Sequence, residues 1–466
     1  MKYIDKNKVE DFKIAYIGGG SRLWAWNLMG DLALEPALSG QVDLYDVDFE
    51  SAKANETFGN RLPKPEGSKG FTYRAVEKLE TALKGADMVI ISIFPGTYEA
   101  MESDVHAPEK YGIYTSVGDT VGPAGILRAL RFLPIFQEFA LAIKEHCPNA
   151  WVVNFTNPMT VCTRMLYRTF PEIKAYGCCH EVFGTQSFLS HILDVECGIK
   201  DAKRDDIRVN VLGVNHFTWL TEAHYRNMDL FPIYRQYVEK YHATGKPVTP
   251  EEAEEWAKNP HARTNQRVKM DLFRRYGYIA AAGDRHLAEF CPGDWYLKDP
   301  QTIYDWGFAL TNVPWRKRWF YERSDKRNDI LAGKIPYELK PSGEEMVRQI
   351  KGFLGLGDLI TNVNMPNNGQ IPNLPIGAVV ETNASFTASS VRPLCAGNVP
   401  AEILPLIAPV VLEQETVVEA AYNRDLELAF KAFVKNPLVR LPLEDARRLF
   451  DEMVDNVKEF LGDYLK

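Results

Sequence analysis

The chain has 466 residues, 45% of them hydrophobic and 25% charged, with a formal net charge of -8. Such a composition belongs to a globular protein of two or three domains, with a core large enough to fold without disulfides or a structural metal. The acidic balance excludes nucleic acid or an anionic membrane as the main partner, since both demand a basic surface. Cysteines number seven, an odd count without framework spacing. Residues 1–11 are polar and lack the apolar region of a signal peptide. No apolar run approaches the roughly 20 residues of a spanning helix. A reducing, cytoplasmic compartment is expected.

In chain order, residues 13–17 form a short apolar strand that runs into Gly18-Gly19-Gly20-Ser21, and residues 24–38 read as a helix. A second strand at 42–45 ends at Asp46, followed by a helix at 50–60, a weak strand near 71–74 and a helix at 77–85. Residues 88–93 are continuously apolar, the mark of a parallel strand buried on both faces. A loop rich in Gly, Asp and Thr at 116–123 leads to a helix at 124–145 and a strand at 151–155. This alternation predicts an α/β fold with a doubly wound, Rossmann-type parallel sheet.

Beyond Gly177 the pattern loosens to one more strand at 207–213 and then mixed, mostly helical sequence. Residues 241–265 read as a solvated helix or lid, and 361–376, rich in Pro and Asn, as a loop. The expected boundary lies near 195, dividing a nucleotide-binding domain at 1–195 from a mixed, mostly helical second domain at 196–466. The site is expected in the crevice between them.

Gly18, Gly19, Gly20 and Ser21 lie between a strand and a helix. Glycine there lets backbone approach a pyrophosphate, whose charge the helix N-terminus stabilises. Asp46 can accept hydrogen bonds from a ribose diol and would repel a 2′-phosphate, which favours NAD over NADP. The third glycine position holds Leu23, a departure from the fingerprint. The bland alternative is an ordinary strand-to-helix turn.

Further strand ends read Asp119-Thr120, Asn157-Pro158, Cys178-Cys179-His180-Glu181 and Asn215-His216. Thiolate and imidazole suit a transition metal, and residues at successive carboxyl ends can converge on one crevice. Singly, each has a structural explanation: a lone Cys is usually core, a lone His usually a satisfied buried group. There is no CxxC, HExxH or GxSxG spacing.

Together these blocks resemble glycoside hydrolase family 4, the NAD- and metal-dependent glycosidases. The matching blocks, in the family's order, are Gly18–Ser21; Gly118-Asp119-Thr120 with Gly122, Arg128 and Arg131; Thr156-Asn157-Pro158; Cys179-His180; and Gly213-Val214-Asn215-His216. Gly283-Asp284-Arg285-His286-Leu287 with Glu289-Phe290, and the stretch from Asn364 to Glu381, complete the set. The resemblance implies NAD and Mn²⁺ as cofactors, with Cys179 and His216 as metal ligands. It implies Asn157 and Asp119 at the sugar, His180 beside the metal polarising the reacting centre, and Asp284 as the base, with Tyr276 or Tyr278 as alternatives.

The implied chemistry is hydride abstraction at C3, deprotonation at C2, elimination of the aglycone and addition of water, with the hydride returned at the end. This family stands apart from the two-carboxylate glycosidases. Cys179-His180-Glu181-Val182 resembles the α-galacturonidase subgroup. Other members cleave α-glucuronides, α-galactosides, α-glucosides or 6-phosphoglycosides. A uronate carboxylate calls for arginine, with Arg285 the first candidate and Arg131 the second. Glu181 is puzzling beside an anionic substrate. The resemblance also implies a homodimer or homotetramer. Two rivals stay open: a hydroxyacid dehydrogenase on the same nucleotide fold, and a non-catalytic NAD-binding sensor.

Overall fold

The computed structural model describes residues 1–259 and 263–466. Its strands are β1 (Lys2–Asp5), β2 (Lys8–Ile17), β3 (Leu38–Tyr45), β4 (Phe71–Val76), β5 (Met88–Ile91), β6 (Trp151–Asn154) and β7 (Lys174–Gly177). Then come β8 (Ile207–Val214), β9 (Phe217–Tyr225), β10 (Met228–Asp229), β11 (Ile279–Ala280), β12 (Leu359–Pro366), β13 (Val379–Thr387) and β14 (Ser390–Pro393). Strands β2 to β7 pair in parallel in the spatial order β4-β3-β2-β5-β6-β7. This is the dinucleotide-fold order, whose direction reverses between β2 and β5; ligands bind outside the carboxyl ends at that point.

Both faces of this sheet are covered, which is why β5 and β6 are apolar at every position but Asn154. Ala15, Ile17, Val89, Ile91 and Val152 share one core with Leu127, Leu130 and Leu133 of helix Gly122–His146. Their sequence neighbours Ile14, Tyr16, Met88, Ile90 and Val153 point the other way. They pack with Ala25 and Met29 of helix Trp24–Ala33 and Phe353 of helix Met346–Phe353. The two-residue period thus feeds two cores rather than one core and water.

The sheet does not stop at the edge of the N-terminal region. Strand β12 adds antiparallel to β7 at the Asn364–Gly177 pair, and β13 and β14 continue outward. Strands from both sides of residue 195 therefore share this sheet. The loop expected at 361–376 is thus strand up to Pro366. Its asparagines misled because they lie inside: Asn362 and Asn364 are buried, and Asn362 Nδ2 donates to Glu381 Oε1 at 2.6 Å. A buried amide that is hydrogen-bonded avoids most of its desolvation cost.

A smaller sheet joins β8, β9, β10 and β11. Its far face packs Val211 and Leu220 against Leu189 and Leu193 of helix Glu181–Cys197 and Phe273 of helix Arg267–Tyr276. Within the stretch expected to be solvated at 241–265, helix Pro250–Lys258 has no buried residue; residues 260–262 of that stretch lie outside the described residues. Among the described residues no helix is long and apolar enough to cross a membrane.

Candidate active site

The glycine turn after β2 leaves no room for side chains. A Cβ at Gly18 would stand 2.0 Å from the Ser92 carbonyl oxygen, one at Gly19 2.7 Å from Leu44 Cβ and one at Gly20 2.8 Å from Ser51 Cβ. The Gly20 N–H donates to Asp46 Oδ2 at 2.8 Å, and the Asp48 N–H donates to Asp46 Oδ1 at 2.9 Å. Asp46 therefore holds the turn, and each carboxylate oxygen keeps a second lone pair for a ribose hydroxyl. Ser21 Oγ accepts the Trp24 N–H at 3.1 Å and starts the helix.

Asn55, which the sequence reading passed over, closes the turn from behind. Its Nδ2 donates to Gly19 O at 2.7 Å and Ser21 O at 2.8 Å, while its Oδ1 accepts from Trp26 Nε1 at 2.8 Å. Bare backbone, a helix N-terminus and an acidic strand end at the switch point fit a dinucleotide.

The loops at the carboxyl ends of the parallel strands face a cavity of about 360 Å³. Asp119, Asn157, Cys179, His180, His216, Asp284 and Arg285 all line it. Asn157 Nδ2 donates to Asp119 Oδ2 at 3.2 Å, and Arg128 Nε supports Asn157 through its carbonyl at 3.1 Å. Thr120 Oγ1 donates to Asp119 Oδ1 at 2.8 Å and lies 3.0 Å from His216 Nδ1. The His216 and His286 rings are 4.0 Å apart between centroids.

Ligating atoms of Asp119, His216 and His286 all lie within 4.8 Å of one another. The expected ligand pair is Cys179 with His216, and both line this cavity. Cys179 lines the same cavity but stands outside the trio, and two residues given other roles or none, Asp119 and His286, join His216. One carboxylate and two imidazoles fit a divalent first-row metal ion, the class that includes Mn²⁺.

Electrostatics follow from this packing. Burial alone would raise the Asp119 carboxyl, but His286, His216 and Arg128 together hold it well below the usual carboxylate range. Burial, then His286, lowers His216 to about 3, so its imidazole is neutral at physiological pH, the form a metal needs. Burial, then Glu381 and Glu181, pushes the Cys179 thiol well up, so a cation binding there must displace its proton.

Glu181 is explained as well. Its Oε2 accepts the Gly283 N–H at 2.7 Å, and its Oε1 lies 3.7 Å from His286 Nε2. Burial opposes its charge, but His286, His216 and His180 bring the carboxyl down to about 2. It balances the histidines and orients His286.

Asp284 opens helix Asp284–Glu289 and is 0% exposed. Its Oδ1 accepts the Lys269 N–H at 3.1 Å at the start of helix Arg267–Tyr276. Its Oδ2 has no protein partner. Burial raises its carboxyl, against Lys269 and the neighbouring amides. His180 stacks on Trp24 with centroids 5.7 Å apart, and Glu344, 3.5 Å from its Nδ1, raises its pKa.

Three candidates fall outside this constellation. Arg131 is buried and its fork is committed to both carboxylate oxygens of Asp104, so it does not reach the cavity. Tyr276 and Tyr278 line a different pocket, with Thr221 and His224 of β9. Two carboxylates that the matching blocks include but give no role support the site. Glu289 Oε1 accepts from the Val117 and Gly118 amides at 2.8 and 3.0 Å, fixing the turn that presents Asp119. Glu381 Oε2 accepts from Asn215 Nδ2 at 3.1 Å, while Asn362 joins Glu381 to the Cys179 carbonyl at 3.1 Å.

A parallel sheet of this order, with imidazole and carboxylate donors converging at its carboxyl edge, defines an enzyme on a dinucleotide fold. Residues 13–195 match the model of the family 4 glycosyl hydrolases, and residues 211–439 that of the family 4 glycosyl hydrolase C-terminal domain. The chain belongs to glycosyl hydrolase family 4.

It is 57% identical over 463 residues to an alpha-galacturonidase of Thermoanaerobacterium saccharolyticum, covering 99% of this chain and 98% of that one. The crystal structure of Bacillus subtilis lplD, named as a glucosidase, is similar with a TM-score of 0.90 and 50% identity over 96% of this chain and all of that one. The 6-phospho-beta glucosidase of Thermotoga maritima, solved with manganese, NAD⁺ and glucose-6-phosphate, shares the fold at a TM-score of 0.74 and 24% identity. It covers 96% of this chain and 99% of that one. Membership in a hydrolase family leaves the dehydrogenase and sensor readings without support.

Proposed function

We propose that this chain is an α-galacturonidase that works with NAD and a divalent metal, Mn²⁺ by the habit of its family. The observation that carries the reading is the cavity itself. It joins Asp119, His216 and His286 to a sealed carboxylate, Asp284, and to three arginines, Arg263, Arg285 and Arg316. The identity with a relative named for this activity supports the sugar assignment.

Bound NAD⁺ supplies a reversible hydride acceptor, and a bound divalent cation supplies a Lewis acid. Gly18 to Ser21 and Asp46 would hold the dinucleotide; Asp119, His216 and His286 would hold the metal, with Cys179 beside them. Asp284 takes the proton from C2 of the sugar, a proton made acidic while C3 is at the ketone level. Its unpartnered Oδ2 is the atom for this task. Loss of that proton expels the aglycone from C1; Asp284 exchanges its proton with solvent and protonates C2 as water adds its hydroxyl to C1, and the water proton ends on the aglycone oxygen. Asn157 and Asp119 position the sugar hydroxyls, and His180 closes the wall beside Trp24.

A panel of p-nitrophenyl α-glycosides tests the reading, assayed with NAD⁺, Mn²⁺ and a thiol. The galacturonide should be cleaved in preference to the glucuronide, galactoside and glucoside. Preferred cleavage of a neutral glycoside would overturn it.

A further inference from the structure

We propose that Arg316 receives the C6 carboxylate of the galacturonosyl unit, an inference that rests on the α-galacturonide reading. Arg316 lies in the first turn of helix Val313–Leu331. Asn312 fixes that turn: its side-chain oxygen accepts the Trp315 N–H at 2.8 Å, and its carbonyl accepts the Arg316 N–H at 3.0 Å. The helix start that carries Arg316 to the cavity is therefore capped.

The three arginines of the cavity differ in what their forks already do. Arg285 is a strut. Its Nε donates to Ser116 O at 3.0 Å and its Nη2 to Thr311 Oγ1 at 2.9 Å, while its own carbonyl accepts from Ser116 Oγ at 2.6 Å. Arg263 lies over the Tyr304 ring, 4.4 Å from its centroid, and donates to the Tyr304 carbonyl. Arg316 makes one long bond, Nη2 to Thr311 Oγ1 at 3.4 Å. Among the described residues no carboxylate lies within ion-pair distance of it.

The carboxylates of the cavity have other partners. Asp119 is held by Thr120 and Asn157, Glu181 by Gly283 and His286, and Asp284 by the Lys269 amide. Asp119 and Glu289 offset the Arg316 charge only from beyond ion-pair distance, and a buried guanidinium beside a second one, with no carboxylate in direct contact among the described residues, is costly until an anion arrives. A uronate carboxylate matches the planar fork with two parallel bonds. The hydroxymethyl group of a galactoside would leave the fork unpaired, and that asymmetry discriminates between the two sugars. Arg316 thus takes the role that the sequence reading gave to Arg285 and Arg131.

Calorimetric binding of D-galacturonate and D-galacturonamide to the enzyme supplied with NAD⁺ and Mn²⁺ tests this. The unaltered enzyme should prefer the acid by about 10–100-fold. Arg316→Gln should bring that preference close to one with NAD⁺ affinity unchanged, and Arg316→Lys should keep part of it as a point charge. A preference retained in Arg316→Gln would overturn the assignment, as would a loss of NAD⁺ affinity with sugar preference intact. An unaltered enzyme without preference for the acid would overturn the α-galacturonide reading itself.

Discussion

Asp119 sets the tautomer of His216 through a shared hydroxyl. The Asp119 carboxylate is ionised and accepts only, so the single Thr120 proton goes to Asp119 Oδ1 at 2.8 Å. The Thr120 oxygen, 3.0 Å from His216 Nδ1, must then accept from that nitrogen. His216 is neutral, so its proton is on Nδ1 and Nε2 is the nitrogen with a free lone pair.

Thr120→Val removes this link while keeping the shape of the side chain. Mn²⁺ affinity, followed by the loss of free-ion electron paramagnetic resonance signal, should fall by about 10–100-fold. Thr120→Ser should restore it. Unchanged affinity in the valine variant would show that the hydroxyl does not orient the ligand.

Asp284→Asn keeps the size of the side chain and removes the base. Turnover of an α-galacturonide should fall by about 10²–10⁴-fold. NAD⁺ binding, read by tryptophan fluorescence, should be unaltered, because Asp284 lies in the sugar cavity rather than at the glycine turn. Full activity in this variant would remove Asp284 from the mechanism.

Asn55→Ala strips three bonds from behind the glycine turn, leaving Trp26 Nε1 and two carbonyls without this partner. Each buried group so left costs about 1–3 kcal/mol. The melting temperature should drop, and NAD⁺ should bind more weakly. A variant with unchanged melting and unchanged NAD⁺ affinity would show that the turn holds its shape without Asn55.

How far the chain could be read from sequence depends on which elements are local. The parallel strands β2, β3, β5 and β6 were legible because each is a short apolar run followed by a helix. Gly18 to Gly20 and Asp46 were legible because strand, turn and helix lie within one stretch of chain. The strands β12 to β14 were not, since their buried asparagines look like loop sequence until Glu381 is brought beside them. His286 gained its meaning only when helix Asp284–Glu289 placed its ring 4.0 Å from that of His216. Arg131 could not be placed from sequence for the same reason. Asp104, 27 residues before Arg131 in the chain, takes its fork, and the approach of 313–331 to the cavity is a tertiary fact.

Stability at mild pH should depend on a carboxyl that does not line the cavity. Glu413, in helix Leu404–Asn423, accepts from Asn436 Nδ2 at 2.9 Å on both oxygens. Burial pushes it up to about 7 from an ordinary 4.5, against the Asn436 bond. The folded state therefore keeps a proton that the unfolded chain has already released between those values. Its contribution is complete below the unfolded value and is lost as pH rises through about 7. Glu413→Gln should melt above the unaltered protein at a pH of about 8, by a margin that shrinks toward a pH of about 5. A margin that does not change with pH would contradict the assignment.

The central claim is that a carbon–hydrogen bond at C2 breaks while the glycosidic bond is cleaved. Hydrolysis of an α-galacturonide in deuterated water, with NAD⁺ and Mn²⁺ present, tests it most directly. Magnetic resonance of the released galacturonate should find deuterium at C2, delivered when Asp284 returns a solvent-derived proton. A product that keeps its original hydrogen at C2 would contradict the account.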